Sequence, residues 1–359
     1  KLLSVVGDLA SAEPIYALKK VTESLDGSYE CRTDGSSLPI GDRSGYVGNA
    51  SIEDIDKVKK ILLIGTNPKI ESPVLNARIR KAWLNGADIA LIGAQVDLTY
   101  EYEHFGDDLA ALSKLVNMDK NHWPGDQESL IVLGQSALTS TDGSKVLNIV
   151  KRIVEKWNGK FLNLHVAASR VGAMDLGFVS KKGFGVEIAK AEVVYNLGMD
   201  EYDLNDNSFV IYQGSHGDRG ANRADIIFPA ACYTEESGIF VNTEGRPQMA
   251  LKANFAPGEA KENWAIIRAL GEKIGVSLQF DSLEQLRVQM VKEYPVFKNM
   301  GEITPTKWKK SALRSIPDNK KFSYYYRNFY KTNPIARASL ILNEVSKMNE
   351  NNNNLRAAE

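Results

Sequence analysis

The sequence predicts an α/β protein: two similar, doubly wound parallel-sheet domains whose segments can intertwine, followed by a helical and irregular C-terminal extension. Three observations carry this expectation. Short apolar runs recur along the chain, most of them ending at or just before a glycine, and segments with helical spacing follow them, which is the pattern of strand-turn-helix units. The runs are continuously apolar instead of alternating, so both faces of each sheet must be covered by helices. Finally, 359 residues exceed the usual size of one core, and 43% apolar with 25% charged residues is the balance of a globular chain.

The elements follow in order. The first series of strands is Leu2 to Val6 ending at Gly7, Ile61 to Ile64 ending at Gly65, and Ile89 to Ile92 ending at Gly93. The second is Leu130 to Leu133 ending at Gly134, Phe161 to Leu164, Val193 to Tyr195, Phe209 to Tyr212, and Ile226 to Phe228 ahead of Pro229. Between them, Ile15, Leu18, Val21 and Leu25 repeat at helical spacing. Ser72-Pro73 places a capping hydroxyl and a donor-free residue where a second helix starts, and Asn85-Gly86 supplies its stop. Asp142 precedes a third helix bearing Val146, Ile149, Val150, Ile153 and Val154. Similar units on either side of residue 127 suggest a duplication, with halves at 1–126 and 127–275. Within the second half Trp264 to Ile274 is helical, and in the extension, 276–359, Ser282 caps a helix bearing Leu283, Leu286, Met290 and Val291. Residues 301–334 are rich in Pro, Lys and Tyr without periodicity, Asn333-Pro334 opens a last short helix, and the tract Asn351 to Asn354 is expected to be disordered.

Composition excludes several functions. Lys plus Arg (44) nearly cancels Asp plus Glu (45), and no basic stripe could neutralise a row of phosphates, which argues against nucleic acid as a partner. No apolar run approaches the length of about 18 residues that would span a bilayer. Cys31 and Cys232 lie far apart and outside any CxxC, and His104, His122, His165 and His216 form no i, i+4 pair. A zinc or iron-sulfur site built from this chain alone is therefore not expected. The chain starts at Lys1 directly on an apolar strand, which reads as a fragment or processed chain whose upstream part is missing.

Three motifs admit a chemical and a structural reading. Gly65-Thr66-Asn67-Pro68 lies between a strand and a helix, where open α/β sheets bind anions, so a nucleotide-binding module is one possibility. A phosphate cradle needs several glycines and this loop has one, which favours a plain connection. His216-Gly217-Asp218-Arg219-Gly220 could supply a base, its orienter and an anion clamp, yet glycines at 214, 217 and 220 equally suit a turn with positive φ. His104 and His165 read as satisfied surface or core residues. Lys320 to Tyr330 interleaves cations with aromatics; the neutral net charge favours packing on protein over base stacking.

The most specific pattern is Ala224-Asp225-Ile226-Ile227-Phe228-Pro229 followed by Glu235, Gly238, Asn242 and Glu244-Gly245-Arg246-Pro247. The strand ADIIFPA and the loop YTEESGIFVNTEGRPQ resemble the molybdopterin oxidoreductase superfamily. With ILLIGTNPKIESPVLNARIRKAW, ALIGAQVDLTYEYEHFG and FYKTNPIARAS, the chain resembles one branch from Val5 to Ser339: the large iron-sulfur subunit of respiratory NADH:quinone oxidoreductase, complex I.

The resemblance implies a formate dehydrogenase-like or DMSO reductase-like fold. It implies [4Fe-4S] and [2Fe-2S] clusters in Cys-rich N-terminal domains that this chain lacks. It also implies other peripheral-arm subunits of complex I as partners, and a place on the matrix side of the mitochondrial inner membrane or the cytoplasmic face of the bacterial one. The expected role is a structural scaffold without a cofactor, catalytic residue or metal ligand of its own. The alternative is a molybdopterin-dependent oxidoreductase domain. Molybdenum relatives place their metal ligand in the loop after the first helix, here YECRTDGSSLPIGDRSGY, so Cys31 is the nearest candidate for cofactor binding. The surrounding pattern departs from the metal-binding members, and no closing β-barrel is indicated at the C-terminus. Arg246, on the loop after the last strand with Glu235, Glu236 and Glu244 nearby in sequence, is expected to form an ion pair.

Overall fold

The computed structural model describes residues 1–119, 123, 128–139, 142–204, 207–311, 322 and 328–356. In chain order its strands are β1 (Leu2–Val6), β2 (Ser28–Glu30), β3 (Lys60–Ile64), β4 (Asp88–Ile92), β5 (Glu103–Gly106) and β6 (Ser129–Leu133). They continue with β7 (Lys160–Asn163), β8 (Val193–Leu197), β9 (Phe209–Gly214), β10 (Ile226–Pro229), β11 (Gly238–Val241) and β12 (Pro247–Ala250). Two five-stranded sheets result, ordered β10-β9-β8-β1-β2 and β5-β4-β3-β6-β7, and β11 pairs with β12 separately. Every pairing within the two large sheets is parallel, and the β11–β12 hairpin is antiparallel.

Continuous apolarity has the predicted consequence. In β3, Leu62 and Ile64 join the cluster that holds Val146, Ile149, Val150 and Ile153 of the helix Gly143–Trp157. Ile61 and Leu63 point the other way, onto Leu75 and Ile79 of the helix Pro73–Leu84. All four strand residues are fully buried, so a strand with helices on both sides has no polar face to offer.

All eight predicted strands form, but the division at 126/127 does not match the sheets. Residues 60–163 supply the whole second sheet, while β1 pairs along its length with β8, Leu3 opposite Val194. The second domain is thus inserted into the first, and the two are intertwined. Strand-helix units look alike in either sheet; which distant strand each one joins is a long-range fact that local periodicity does not carry. Strands β2 and β5 escaped prediction because they are short, polar edge strands, Ser-Tyr-Glu and Glu-His-Phe-Gly.

The boundary at 275/276 also needs correction. Phe280, Leu286, Met290 and Phe297 are buried in the same core as Tyr16, Leu18 and Val21 of the helix Ala12–Ser24. The guanidinium Nε of Arg287 donates to Glu13 Oε1 at 2.8 Å, and Tyr16 donates its hydroxyl to Glu293 at 2.8 Å. Residues 276–297 are therefore part of the first domain. Beyond them the chain straps the second domain and the segment that leads into it: Trp308 Nε1 reaches Glu155 at 3.0 Å, Lys151 Nζ reaches the Lys309 carbonyl at 2.9 Å, and Arg43, ahead of β3, reaches that of Thr304 at 2.8 Å.

Of the aromatic stretch, Phe322 is buried in this chain's own core and its N–H donates to the Asp107 carbonyl at 3.1 Å. Residues 320, 321 and 323–327 lie outside the described residues. The predicted short helix is Pro334–Ala338, capped by Asn333, which accepts from the Ala336 N–H at 2.9 Å. The last helix, Leu340–Arg356, runs through the tract Asn351 to Asn354, which is a difference from expectation. Extending an existing helix by a residue is far easier than nucleating one, so weak helix formers can be carried along. No helix among the described residues is long and apolar enough to cross a membrane.

Candidate functional site

Open parallel sheets bind ligands at their carboxyl edge, where the strand order reverses. The reversal lies between β1 and β8 in the first sheet and between β3 and β6 in the second. Asp34 beyond β2 and Gln135 beyond β6 bridge the two edges, since Gln135 Nε2 donates to Asp34 Oδ2 at 2.6 Å. Arg170, at the start of the helix Arg170–Asp175, donates Nη1 to both Asp34 oxygens at 3.1 and 3.2 Å and to Ser36 Oγ at 3.0 Å. Burial pushes the Asp34 carboxyl up, but the Arg170 charge and hydrogen bonds from Ser36 outweigh it and hold the group below the ordinary value.

Cys31 follows β2 and is buried. Burial pushes its thiol up to about 12, with Glu30 adding and Arg170 and Arg32 opposing. A metal-binding cysteine is a thiolate, the form that burial disfavours here. Nearby Arg32 does not reach outward either, since it is held by Glu30 at 2.7 Å and by the carbonyls of Leu38 and Ser180.

His165, beyond β7, is also buried. Its Nε2 lies 2.5 Å from the Tyr46 carbonyl, and its pKa is lowered to about 4, chiefly by burial. A ring that is neutral in the fold but protonates more readily when unfolded supplies stability that is complete above about pH 6.5 and lost as pH falls from there toward 4. We expect His165→Gln to flatten the acid limb of a stability-versus-pH curve by roughly 3 kcal/mol. Urea unfolding at a series of pH values checks this; an unchanged slope between pH 6.5 and pH 4 would contradict it.

Two donors of the Gly65 loop are taken by the chain itself, while Asn67 Oδ1 is buried without a partner. The Asn67 N–H donates to Glu71 Oε1 at 2.8 Å and Thr66 Oγ1 to Oε2 at 3.1 Å, so a carboxylate from the chain takes the donors an anion would use. Gly65 has φ +55, and a Cβ there would lie 2.8 Å from that of Ala137. The glycine serves a close strand-helix approach.

The His216 cluster comes apart. His216 Nδ1 is 2.9 Å from Ser215 Oγ, Arg219 points to Asp203 at 3.6 Å, and Asp218 accepts from Arg337 Nε at 2.5 Å. The glycines are needed for a reason other than the one expected. None of Gly214, Gly217 and Gly220 has positive φ. Instead a Cβ on Gly220 would come within 2.6 Å of the Tyr212 ring, and one on Gly214 within 2.4 Å of its hydroxyl. His104 bridges Gln95 and the Gly93 carbonyl, and His122 lies outside the described residues.

Arg246 forms its ion pair with Glu244, Nε to Oε1 at 2.9 Å, and donates to the Gly301 carbonyl at 2.6 Å. Glu235 and Glu236 serve other groups, the Cys232 N–H and Asn263. Arg246→Leu is expected to cost about 1–2 kcal/mol, read as a lower thermal midpoint; unchanged stability would remove its loop-shaping role.

The crevice between β1 and β8 is lined by Leu9, Gly198, Tyr212, Glu236 and Asn263, together with Pro334 and Ile335 of the short helix Pro334–Ala338. It encloses about 60 Å³. Inside, burial raises the Glu236 carboxyl to about 7 against the opposing bonds from Asn263. Sequence reasoning missed Glu236, Asn263 and Asp200 as crevice residues, because nothing local shows which loops the two edges bring together.

One feature favours a bound group in the cleft: Gln135 Oε1, Arg170 Nε and His165 Nδ1 are buried without a protein partner. Three features oppose a pterin and its metal. Arg170 is committed to Asp34, Cys31 is buried, and the crevice is several times smaller than the roughly 300–1,000 Å³ of ligand pockets. As arranged, these residues do not fit that cofactor. Among the described residues no group of three or more His, Cys, Asp or Glu could hold a metal ion.

Comparison with known proteins places these observations. The family model described as molybdopterin oxidoreductase matches residues 1–273. The 78 kDa subunit of mitochondrial NADH-ubiquinone oxidoreductase from Neurospora crassa is 37% identical over 94% of this chain and 48% of its own length. A subunit of the NADH-quinone oxidoreductase of Rickettsia bellii is 34% identical over 95% of this chain and 52% of its own. The 75 kDa subunit of NADH-ubiquinone oxidoreductase from Reclinomonas americana is 33% identical over 97% and 55%. The chain thus spans about half the length of these relatives. A chain of the formyltransferase/hydrolase complex of Methylorubrum extorquens, solved with methylofuran, superposes with a TM-score of 0.52 at 15% identity, covering 77% of this chain and 93% of that one, a likeness of fold alone. The chain belongs to the molybdopterin oxidoreductase family and is homologous to the 75–78 kDa subunits of NADH-ubiquinone oxidoreductases and to their counterpart in the NADH-quinone oxidoreductase of Rickettsia bellii.

Proposed function

We propose that this chain is a cofactor-free scaffold within the large subunit of an NADH:quinone oxidoreductase. In this reading the iron-sulfur clusters belong to the part of the relatives that lies beyond this chain. The chain would support electron transfer from NADH to quinone by holding those cluster-bearing domains and neighbouring peripheral-arm subunits in place. The complex would face the mitochondrial matrix or the bacterial cytoplasm, with this chain outside the bilayer. The observation that supports the reading is the buried Arg170–Asp34 pair at the joined carboxyl edges of the two sheets, where each is the other's partner, beside a crevice of only about 60 Å³.

The competing reading, a molybdopterin-dependent oxidoreductase domain, rests on Cys31 as metal ligand. Cys31 is buried, and among the described residues no group of three or more His, Cys, Asp or Glu could hold a metal ion with it. Replacing Cys31 by Ala is expected to leave metal content and NADH:quinone turnover of the assembled enzyme unchanged. Loss of bound molybdenum together with turnover in that variant would decide for the competing reading.

A further inference from the structure

Strand β10 is the free edge of the first sheet, and its Ile226 and Ile227 are 42% and 52% exposed. Between it and the helix Asn263–Lys273 runs a groove of about 540 Å³ lined by Phe228, Ala265, Ile266, Ala269 and Leu270. That helix already buries Ile267 and Gly271 on the opposite side. It therefore presents a second apolar stripe that its own domain covers only in part, with Leu270 resting on the core and Ala265 and Ile266 half-buried. The apolar surface continues past the groove, because Lys252 stacks on the Phe255 ring at 5.1 Å and reaches Glu262 at 3.6 Å. Leu251 and Phe255 there are 75% and 82% exposed. Contiguous apolar surface of this kind, rimmed by charge, marks interaction sites.

The rim is specific in sign. Lys261 and Lys273 stand at the two ends of the groove and carry no ion pair among the described residues. Glu262, the acidic residue of the lining, is balanced by Lys252 and by the Trp264 indole N–H at 2.9 Å. The groove thus offers an apolar floor between two uncompensated cations. The helix that separates them, Asn263–Lys273, is eleven residues long, about 16 Å or three turns, with Lys261 just before its start and Lys273 at its end.

We propose that this groove receives an amphipathic helix of a partner protein, its apolar stripe on Ile266 and Phe228 and its acidic residues on Lys261 and Lys273. A helix fits better than an added strand, because β10 is short and ends at Pro229. The backbone of Lys261 already pairs with Pro229 and Ala231 there, which leaves little edge for augmentation. The proposal does not depend on the role argued above.

The test is photo-cross-linking of the full chain in its own cells, with a photoreactive phenylalanine analogue at Ala269, followed by mass spectrometry of the adduct. The expected adduct is a segment of another protein with apolar residues at helical spacing and Asp or Glu near both ends. Ile266→Glu, and separately Lys261→Glu with Lys273→Glu, should each reduce its yield on the order of tenfold, with unchanged thermal midpoints because these side chains are at the surface. A second copy of this chain, a lipid, or no adduct overturns the proposal. So does an adduct whose yield neither variant changes.

Discussion

Truncation after Gly275 is expected to abolish cooperative folding. The excised segment carries Phe280, Leu286, Met290 and Phe297, each buried in the core built on the helix Ala12–Ser24, and Arg287, the partner of buried Glu13. Removing one large buried side chain typically costs about 2–5 kcal/mol. Four together, about 8–20 kcal/mol, match or exceed the roughly 5–15 kcal/mol by which a domain is stable at all, and the lost Arg287 also leaves a buried carboxylate short of its cation. Calorimetry of the truncated chain should show no cooperative transition. Truncation after Ser311 keeps this segment and should preserve one. A sharp transition in the shorter chain would mean that residues 276–297 are an appendage after all.

Replacing Arg170 by Met should destabilise the protein by about 3–5 kcal/mol, because Asp34 would keep its negative charge in a site with almost no access to water. The sign of the pH dependence follows from the lowered Asp34 pKa. In the native protein the pair contributes stability above the ordinary carboxylate value, and this is lost as pH falls through the lower folded value. In Arg170→Met the dependence should reverse, with burial alone raising Asp34 and acid relieving the penalty. Adding Asp34→Leu should recover much of the loss, as apolar replacements of buried ion pairs generally do. Under the scaffold reading the double variant assembles and turns over normally. A double variant that regains stability but not turnover would show that the pair has a chemical role.

Much of the fold was legible because its strands are buried on both faces. Runs such as Ile61 to Ile64 have no alternative to a central parallel strand. What was illegible was long-range. Nothing local distinguishes β6, which joins β3, from β8, which joins β1. Nor does the spacing of Leu286 and Met290 say that they complete the core of a helix more than two hundred residues upstream. The site divides the same way. The single glycine of the Gly65 loop packs against Ala137, and Arg246 found one of its three nearby glutamates. Arg170 carried no local signal, since its partner Asp34 lies 136 residues away. The glycines at 214 and 220 were read as turn formers, whereas their small size is dictated by Tyr212, visible only once the chain has folded.

The scaffold proposal holds that the molybdopterin-family fold is kept here without its cofactor. The most direct test is to quantify molybdenum, tungsten and pterin in the purified enzyme containing this chain, by elemental analysis and by fluorescence of the oxidised pterin after acid release. The account predicts none of the three at a stoichiometric level in enzyme with full NADH:quinone turnover. One pterin or one metal atom per chain would contradict it.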